Sequence, residues 1–327
     1  MESGSSNAQE KKRMYTVARF RSQEGIARKL FSFNNPKSTI PIMPRTAVKP
    51  KIAIVGPGSL GNALAISLRE AGYRVTEVVS RGGEASRRRT RALARKIGAT
   101  ATTFNGPRLT ADVVWLCVPD GKIAACARLL ASAEWEGKVA LHSSGALTSD
   151  ELNALRRKGA AVASLHPLMT FVRKVRPALA GVPFAIEGDV AAIRAGRRIV
   201  RDLGGEVFVI EKRYKPAYHA WGAFTSPLLV AILVVAEEVA ELAGINRTLA
   251  RRRMLPIVRQ TIANYARQGP AGAFSGPIVR GDAATLKKHV QALSGNPEAK
   301  EVYLALARSA IKNLPARNQR LLKQALG

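Results

Sequence analysis

Few side chains in this 327-residue chain can move a proton near neutral pH, because it holds only four histidines and two cysteines. Two of the candidates are linked by spacing. Lys215 and His219 stand four residues apart, so a helix would place them on one face. His166 precedes Pro167, which keeps the backbone extended and favours a side chain turned into whatever cleft the segment borders. Together with the hydroxyl of Ser226, these groups could protonate a reacting oxygen or nitrogen, or stabilise charge developing on it. His219 or Lys215 is the expected proton donor, with Ser226 orienting the substrate. Each histidine is equally compatible with a structural role at a domain junction. Cys117 reads as a small core hydrophobe rather than a nucleophile. With no CxxC pair and no HExxH, a metal site is not expected.

A second group of residues suggests a phosphate. Gly56-Pro57-Gly58-Ser59-Leu60-Gly61 follows an apolar β-branched run, KIAIV, and opens a helical pattern. The first glycine allows a tight turn, the second a close approach to a pyrophosphate, and the third close packing of helix on sheet. The helix N-terminus then faces the phosphates. The next strand ends Val79-Ser80-Arg81, where a site for NAD usually has Asp or Glu to bond the ribose 2′-hydroxyl. A hydroxyl beside a guanidinium suits a 2′-phosphate instead, so NADP is the expected cofactor. Glu77, the nearest acid, lies too early in the strand. Val118-Pro119 and Ser143-Ser144 follow two further strands and should border the nicotinamide.

The elements that must hold these groups alternate between strand and helix patterns. Strands are expected at 51–55, 74–79, 101–103, 111–118, 138–142, 160–165, 182–188 and 206–210. That order predicts a Rossmann-type doubly wound α/β sheet. After about Glu211 the strand signals stop, and helices are expected around 224–243, 249–268, 283–293 and 297–311. Residues 49–211 would form the NADP-binding domain and 212–327 an all-helical substrate and dimerisation domain. The uncharged run Trp221–Ala236 is 16 residues long, short of the ~20 a membrane span needs, and predicts a buried helix of a soluble protein. Residues 1–48, with 9 Lys+Arg against 3 Glu, read as a disordered extension or a start set too early. They lack the apolar core of a secretory signal. The cysteine count fits a cytoplasmic protein without a disulfide framework.

The net charge of +29 raises nucleic acid as a partner. The basic residues are spread along the chain without interleaved aromatics, however, so neither a specific nucleic acid nor a membrane is the expected partner. In FSGPIVRGD (274–282), too punctuated for a helix, Asp282 is a natural cap for the following helix. Arg280 could pair with it or reach a substrate carboxylate.

LHSSGAL (141–147), SLHPLMTF (164–171), YHAWGAF (218–224) and FSGPIVRGD occur in the order and spacing of a bacterial family. Over about residues 50–315 the chain resembles proteins with a Rossmann-like domain followed by domain of unknown function 2520. These resemble pyrroline-5-carboxylate reductase, 6-phosphogluconate dehydrogenase and the deazaflavin-dependent NADP reductases. The resemblance implies an NADP-linked reductase or dehydrogenase acting on a small carbonyl, imine or hydroxy acid. It also implies a homodimer formed through the helical domain and a substrate pocket between domains. Lys215-x-x-x-His219 falls about where the hydroxyacid dehydrogenases carry a Lys-x-x-x-Asn pair. One departure is Ser226-Pro227, where the family usually has Ser-Asn. It favours the alternative of a non-catalytic NADP-binding sensor or scaffold.

Overall fold

The computed structural model describes residues 48–80, 82–104, 109–173 and 175–327. Residues 1–47, including nearly all of the basic extension, lie outside the described residues, as does Arg81. Lys49–Gly327 packs as one compact unit.

Eight strands form one sheet: β1 (Ile52–Val55), β2 (Val75–Ser80), β3 (Thr100–Thr103), β4 (Val113–Leu116), β5 (Val139–His142), β6 (Ala161–Pro167), β7 (Pro183–Gly188) and β8 (Glu206–Val209). Their order is β3-β2-β1-β4-β5-β6-β7-β8. The first six run parallel, as the alternation of strands and helices predicts. β7 pairs with β6 antiparallel, placing Pro167 opposite Phe184, and β8 is parallel to β7. All four residues of β1 and of β4 are buried, because helices cover both faces of a parallel sheet.

One face of the sheet carries α1 (Ser59–Glu70), α2 (Glu84–Ile97) and α5 (Val190–Asp202), which share a core of Leu64, Leu68, Leu93 and Ile199 against Ile52, Ile54 and Trp115. The other face carries α3 (Ile123–Leu130) and the single turn α4 (Asn153–Arg156), packed through Ala127, Leu130 and Leu155. α2 ends at Gly98 with φ of 69°, the left-handed turn that glycine adopts without strain.

From Lys212 onward the described residues form helices and no strand. They are α6 (Lys215–Thr225), α7 (Pro227–Leu242), α8 (Arg247–Ala273), α9 (Pro277–Arg280), α10 (Ala283–Ala292), α11 (Pro297–Asn313) and α12 (Gln319–Leu326). The helix expected around 224–243 is α7, and Ser226 separates it from α6. Ser226 leaves helical geometry (φ −132°, ψ −81°) because Pro227 disfavours the helical conformation in the residue before it. The segment expected to be too punctuated for a helix holds the one-turn helix α9. Asp282 caps α10 as expected, accepting from Thr285 N at 3.0 Å.

The structure corrects the expectation of a buried apolar helix at Trp221–Ala236. Leu228, Val230, Ile232 and Val234 on α7 are all more than a third exposed, and Glu237 is the only buried residue of that helix. The apolar pattern calls for cover, and the described residues do not supply it. By length and composition, Lys212–Leu242 is a helical stretch apolar enough to cross a membrane.

Candidate functional site

The loop between β1 and α1 shows what each of its glycines is for. Gly56 has φ of +99°, and a Cβ there would lie 2.6 Å from the carbonyl oxygen of Cys117. A Cβ on Gly61 would lie 2.0 Å from the carbonyl oxygen of Gly56, so the helix packs against its own loop. Gly58 differs from both. Its φ is −75°, open to any residue, and a Cβ would meet nothing within 4 Å. Neither strain nor packing demands glycine there. A group that approaches the exposed N-terminus of α1 from outside the chain would demand it, and a pyrophosphate fits that requirement.

A groove of about 210 Å³ runs from this loop past the end of β2 to the end of β4. Gly56, Pro57, Gly58, Ser80, Val118 and Pro119 line it, as the sequence predicts for a cofactor site. Ser59 lies beside it on the exposed N-terminus of α1, while Leu60 packs into the core and offers only its backbone. Six further residues line it: Ser86 and Arg89 on α2, Phe104 after β3, Cys117, Lys122 and Cys126. Ser86 and Arg89 are three apart on a helix, a spacing that puts both on one face, and this was the available signal. Glu77 is withdrawn from the groove, since it accepts from Thr110 N (2.9 Å), Thr110 Oγ1 (2.5 Å) and Thr76 Oγ1 (2.5 Å). The described end of β2 therefore offers a ribose no carboxylate.

Ser143 and Ser144 do not line the groove with their hydroxyls. Ser143 Oγ accepts from Trp115 Nε1 at 2.7 Å. Ser144 Oγ donates to Asp120 Oδ2 at 2.7 Å and accepts from Ala146 N and Leu147 N. These bonds shape the 143–148 loop. His142 holds it from below: its Nε2 bonds the Thr148 carbonyl at 2.9 Å, and its Nδ1 accepts from Ser144 N at 3.1 Å. Burial keeps this imidazole neutral, with its pKa lowered to about 4. It is a structural histidine bonded to backbone.

Next to Ser144, Gly145 sits between two imidazoles. A Cβ on it would come within 2.6 Å of His219 Cδ2 and 3.0 Å of His166 Nε2. The two rings meet edge to face, with centroids 6.1 Å apart. His166 ends β6, and His219 comes from the inner face of α6, so the expected cluster forms. α6 adds Tyr218, which the sequence reading passed over as an aromatic. Its Oη lies 2.8 Å from His166 Nδ1. Burial pushes the phenol up to about 12 and His166 down to about 4, the latter assisted by the charge on Lys215.

Lys215 stands at the bottom of this cluster. The expectation that it donates a proton directly in the cleft is corrected, because the residue is fully buried. Its Nζ donates to the Ser144 carbonyl (3.0 Å) and to Ser164 Oγ (2.7 Å). Burial lowers its pKa to about 8, partly offset by Glu187 and Asp120. It is a charge under the site rather than a group in it. Ser226 lies at the break between α6 and α7, two turns beyond His219, and forms no side-chain cap on α7. Arg280 is exposed at the end of α9, a segment that packs against Arg317 and Asn318 rather than against the strand ends. Within one chain, neither Ser226 nor Arg280 joins the histidine cluster.

Family models place this geometry. A Rossmann-like domain matches residues 37–167, and a domain of unknown function, DUF2520, matches residues 182–310. Together the two matches span most of the chain. Among solved structures, a candidate NADP oxidoreductase from Bacteroides fragilis is 23% identical with a TM-score of 0.67, covering 80% of this chain and 97% of that one. A reductive aminase from Aspergillus terreus, determined with NADPH and ethyl-5-oxohexanoate, is 17% identical with a TM-score of 0.58, covering 85% and 99%. A pyrroline-5-carboxylate reductase from Coxiella burnetii is 15% identical with a TM-score of 0.53, covering 85% and 97%. At these identities the likeness is one of fold. No protein of curated function matches the chain. The phosphate loop lies in the Rossmann-like domain, as do Gly145 and His166, whereas Lys215, Tyr218 and His219 belong to DUF2520. The histidine cluster is built where the two domains meet.

Proposed function

We propose that the chain is an NADP-dependent oxidoreductase, transferring a hydride to or from a small carbonyl, imine or hydroxy acid. The observation that carries this reading is the continuity of the two halves of the site. The phosphate-loop groove ends at Pro119, whose neighbour Asp120 bonds Ser144, and the next residue, Gly145, floors the histidine pair. The open position of Gly58 and the solved neighbours named for NADP and NADPH support the choice of cofactor. Ser80, Ser86 and Arg89, together with Arg81, would receive the 2′-phosphate, and Gly58 and Ser59 the pyrophosphate.

The cofactor supplies the hydride; the chain must supply or accept the proton. His166 is neutral at pH 7, and in the tautomer with its proton on Nε2 its Nδ1 accepts from Tyr218 Oη. That N–H faces the space Gly145 leaves open, where it can hold a substrate oxygen or nitrogen. His219, exposed at the mouth, stands between this space and solvent. Lys215 adds to the burial that keeps His166 neutral and favours negative charge appearing above it.

The exposed apolar faces of α7 and α8, including Val230, Ile257 and Ile262, support a homodimer formed through the helical domain. The break at Ser226-Pro227 favours a second reading, a protein that binds NADP without turnover.

Titration of the purified chain with NADPH and NADH tests the cofactor, alongside Arg81→Ala and Arg89→Ala. Tight NADPH binding, weak NADH binding and loss of that difference in the variants are expected. NADPH oxidation with a panel of imines and carbonyls then separates the enzyme from the sensor. Failure to bind either dinucleotide would overturn both readings.

A further inference from the structure

A second groove, of about 850 Å³, lies along the outer face of α1 and has no role in the account above. It opens at Gly58 and Ser59, is flanked by Arg89 and Lys96 of α2, and is closed on its far side by Arg173 and Arg176. Those two arginines belong to the segment that follows β6. Arg89 lines both this groove and the one past β2, so the two meet at the phosphate loop.

The charges in this groove are not balanced. Glu70 is the acid lining it, and Arg176 holds that carboxylate at 2.6 Å. Among the described residues no carboxylate lies within ion-pair distance of Arg89, Lys96 or Arg173. Arg173 stands between two attachments of its segment. Phe171 packs against the core, and the Arg176–Glu70 pair ties the segment to the end of α1. Exposed Arg173 thus lines the same groove as Gly58 and Ser59, the first residues of a helix whose N–H groups point outward.

We propose that Arg173 binds the pyrophosphate of the cofactor, which it would cover from the α1 side while the loop amides hold it from below. This rests on the NADP reading above and adds a residue to it. The planar fork of arginine suits two phosphate oxygens at once, and the helix N-terminus favours the same anion. Arg89, at the junction with the other groove, is then left to the 2′-phosphate. The two arginines divide the cofactor between them, and ligands that carry one group or the other can tell them apart.

The test is calorimetric titration of the full chain and of Arg173→Ala with NADPH, NADH and adenosine 2′-monophosphate, which lacks the pyrophosphate. Arg173 is exposed, so its removal should leave the thermal midpoint unchanged. NADPH and NADH should both weaken by about tenfold, in line with one charge-assisted contact at a partly solvated site. Affinity for adenosine 2′-monophosphate should not change, and Arg173→Lys should restore part of the loss. Unchanged NADPH affinity overturns the proposal, as does a loss confined to NADPH and adenosine 2′-monophosphate, which would move Arg173 to the 2′-phosphate. If the unmodified chain binds neither dinucleotide, the NADP reading falls and this assignment with it.

Discussion

Replacing Lys215 by methionine keeps most of a buried side chain and removes its charge, so its effect on stability can be worked through with sign. Burial holds the ammonium near pKa 8 in the folded chain, against 10.5 ordinarily. Between those values the unfolded chain binds more protons than the folded one, so stability rises with pH through that window. Below pH 8 the folded state carries the whole cost of the buried charge; above 10.5 it carries none. Linkage gives a gain of about 2.5 kcal/mol between pH 7 and pH 10 from this residue alone. The variant forfeits two hydrogen bonds, to Ser144 and Ser164, worth about 1 kcal/mol each. At pH 7 it should be more stable than the unmodified chain by about 1 kcal/mol, and at pH 10 less stable by a similar amount. Urea unfolding of both proteins at pH 7, 8, 9 and 10 measures this, since contributions from every other group cancel in the difference. A difference that stays constant over that range would refute the assignment of a depressed, buried ammonium at position 215.

Five further outcomes are expected. The same Lys215→Met variant removes one of the charges that depress His166, so the acid limb of kcat/KM should move upward from about pH 4; a limb that stays put would separate the two groups. Gly145→Ala brings a methyl against both imidazoles and should lower turnover by about tenfold or more while thermal unfolding is little changed. Gly61→Ala should cost about 3 kcal/mol in urea unfolding because its Cβ meets backbone. By contrast, Gly58→Ala should fold normally yet lose dinucleotide affinity. Val230→Asp should shift the protein to the monomer mass in light scattering, and an unchanged mass would remove α7 from the interface.

Strands were the most legible part of the sequence. Runs such as IAIV and VVWL are short, β-branched and apolar at every position, a pattern that fits a strand covered on both faces. The reversal at β7 left no such trace, since PFAIEG would look the same running in either direction. The phosphate loop is readable because Gly56 and Gly61 answer local constraints, while Gly58 leaves space for a group from outside the chain. Ser143 and Ser144 were placed correctly at a strand end, but sequence cannot show that their hydroxyls are committed to Trp115 and Asp120. Lys215 and His219 were found by helical spacing; what spacing does not report is depth, and one lies buried while the other reaches solvent. Tyr218 was hidden among aromatics that pack, and only the 2.8 Å contact with His166 separates it from them. The apolarity of α7 indicates that it must be covered and is silent on which surface does so.

The break at Ser226 has a thermodynamic consequence. A single non-helical residue separates α6, which carries Lys215, Tyr218 and His219, from the exposed apolar α7. Any surface that seats α7 therefore restrains α6 as well, and free energy released on association becomes available to hold the imidazoles in register. By mass action, activity and self-association would then share one concentration dependence, and specific activity should decline on dilution before any unfolding is detected.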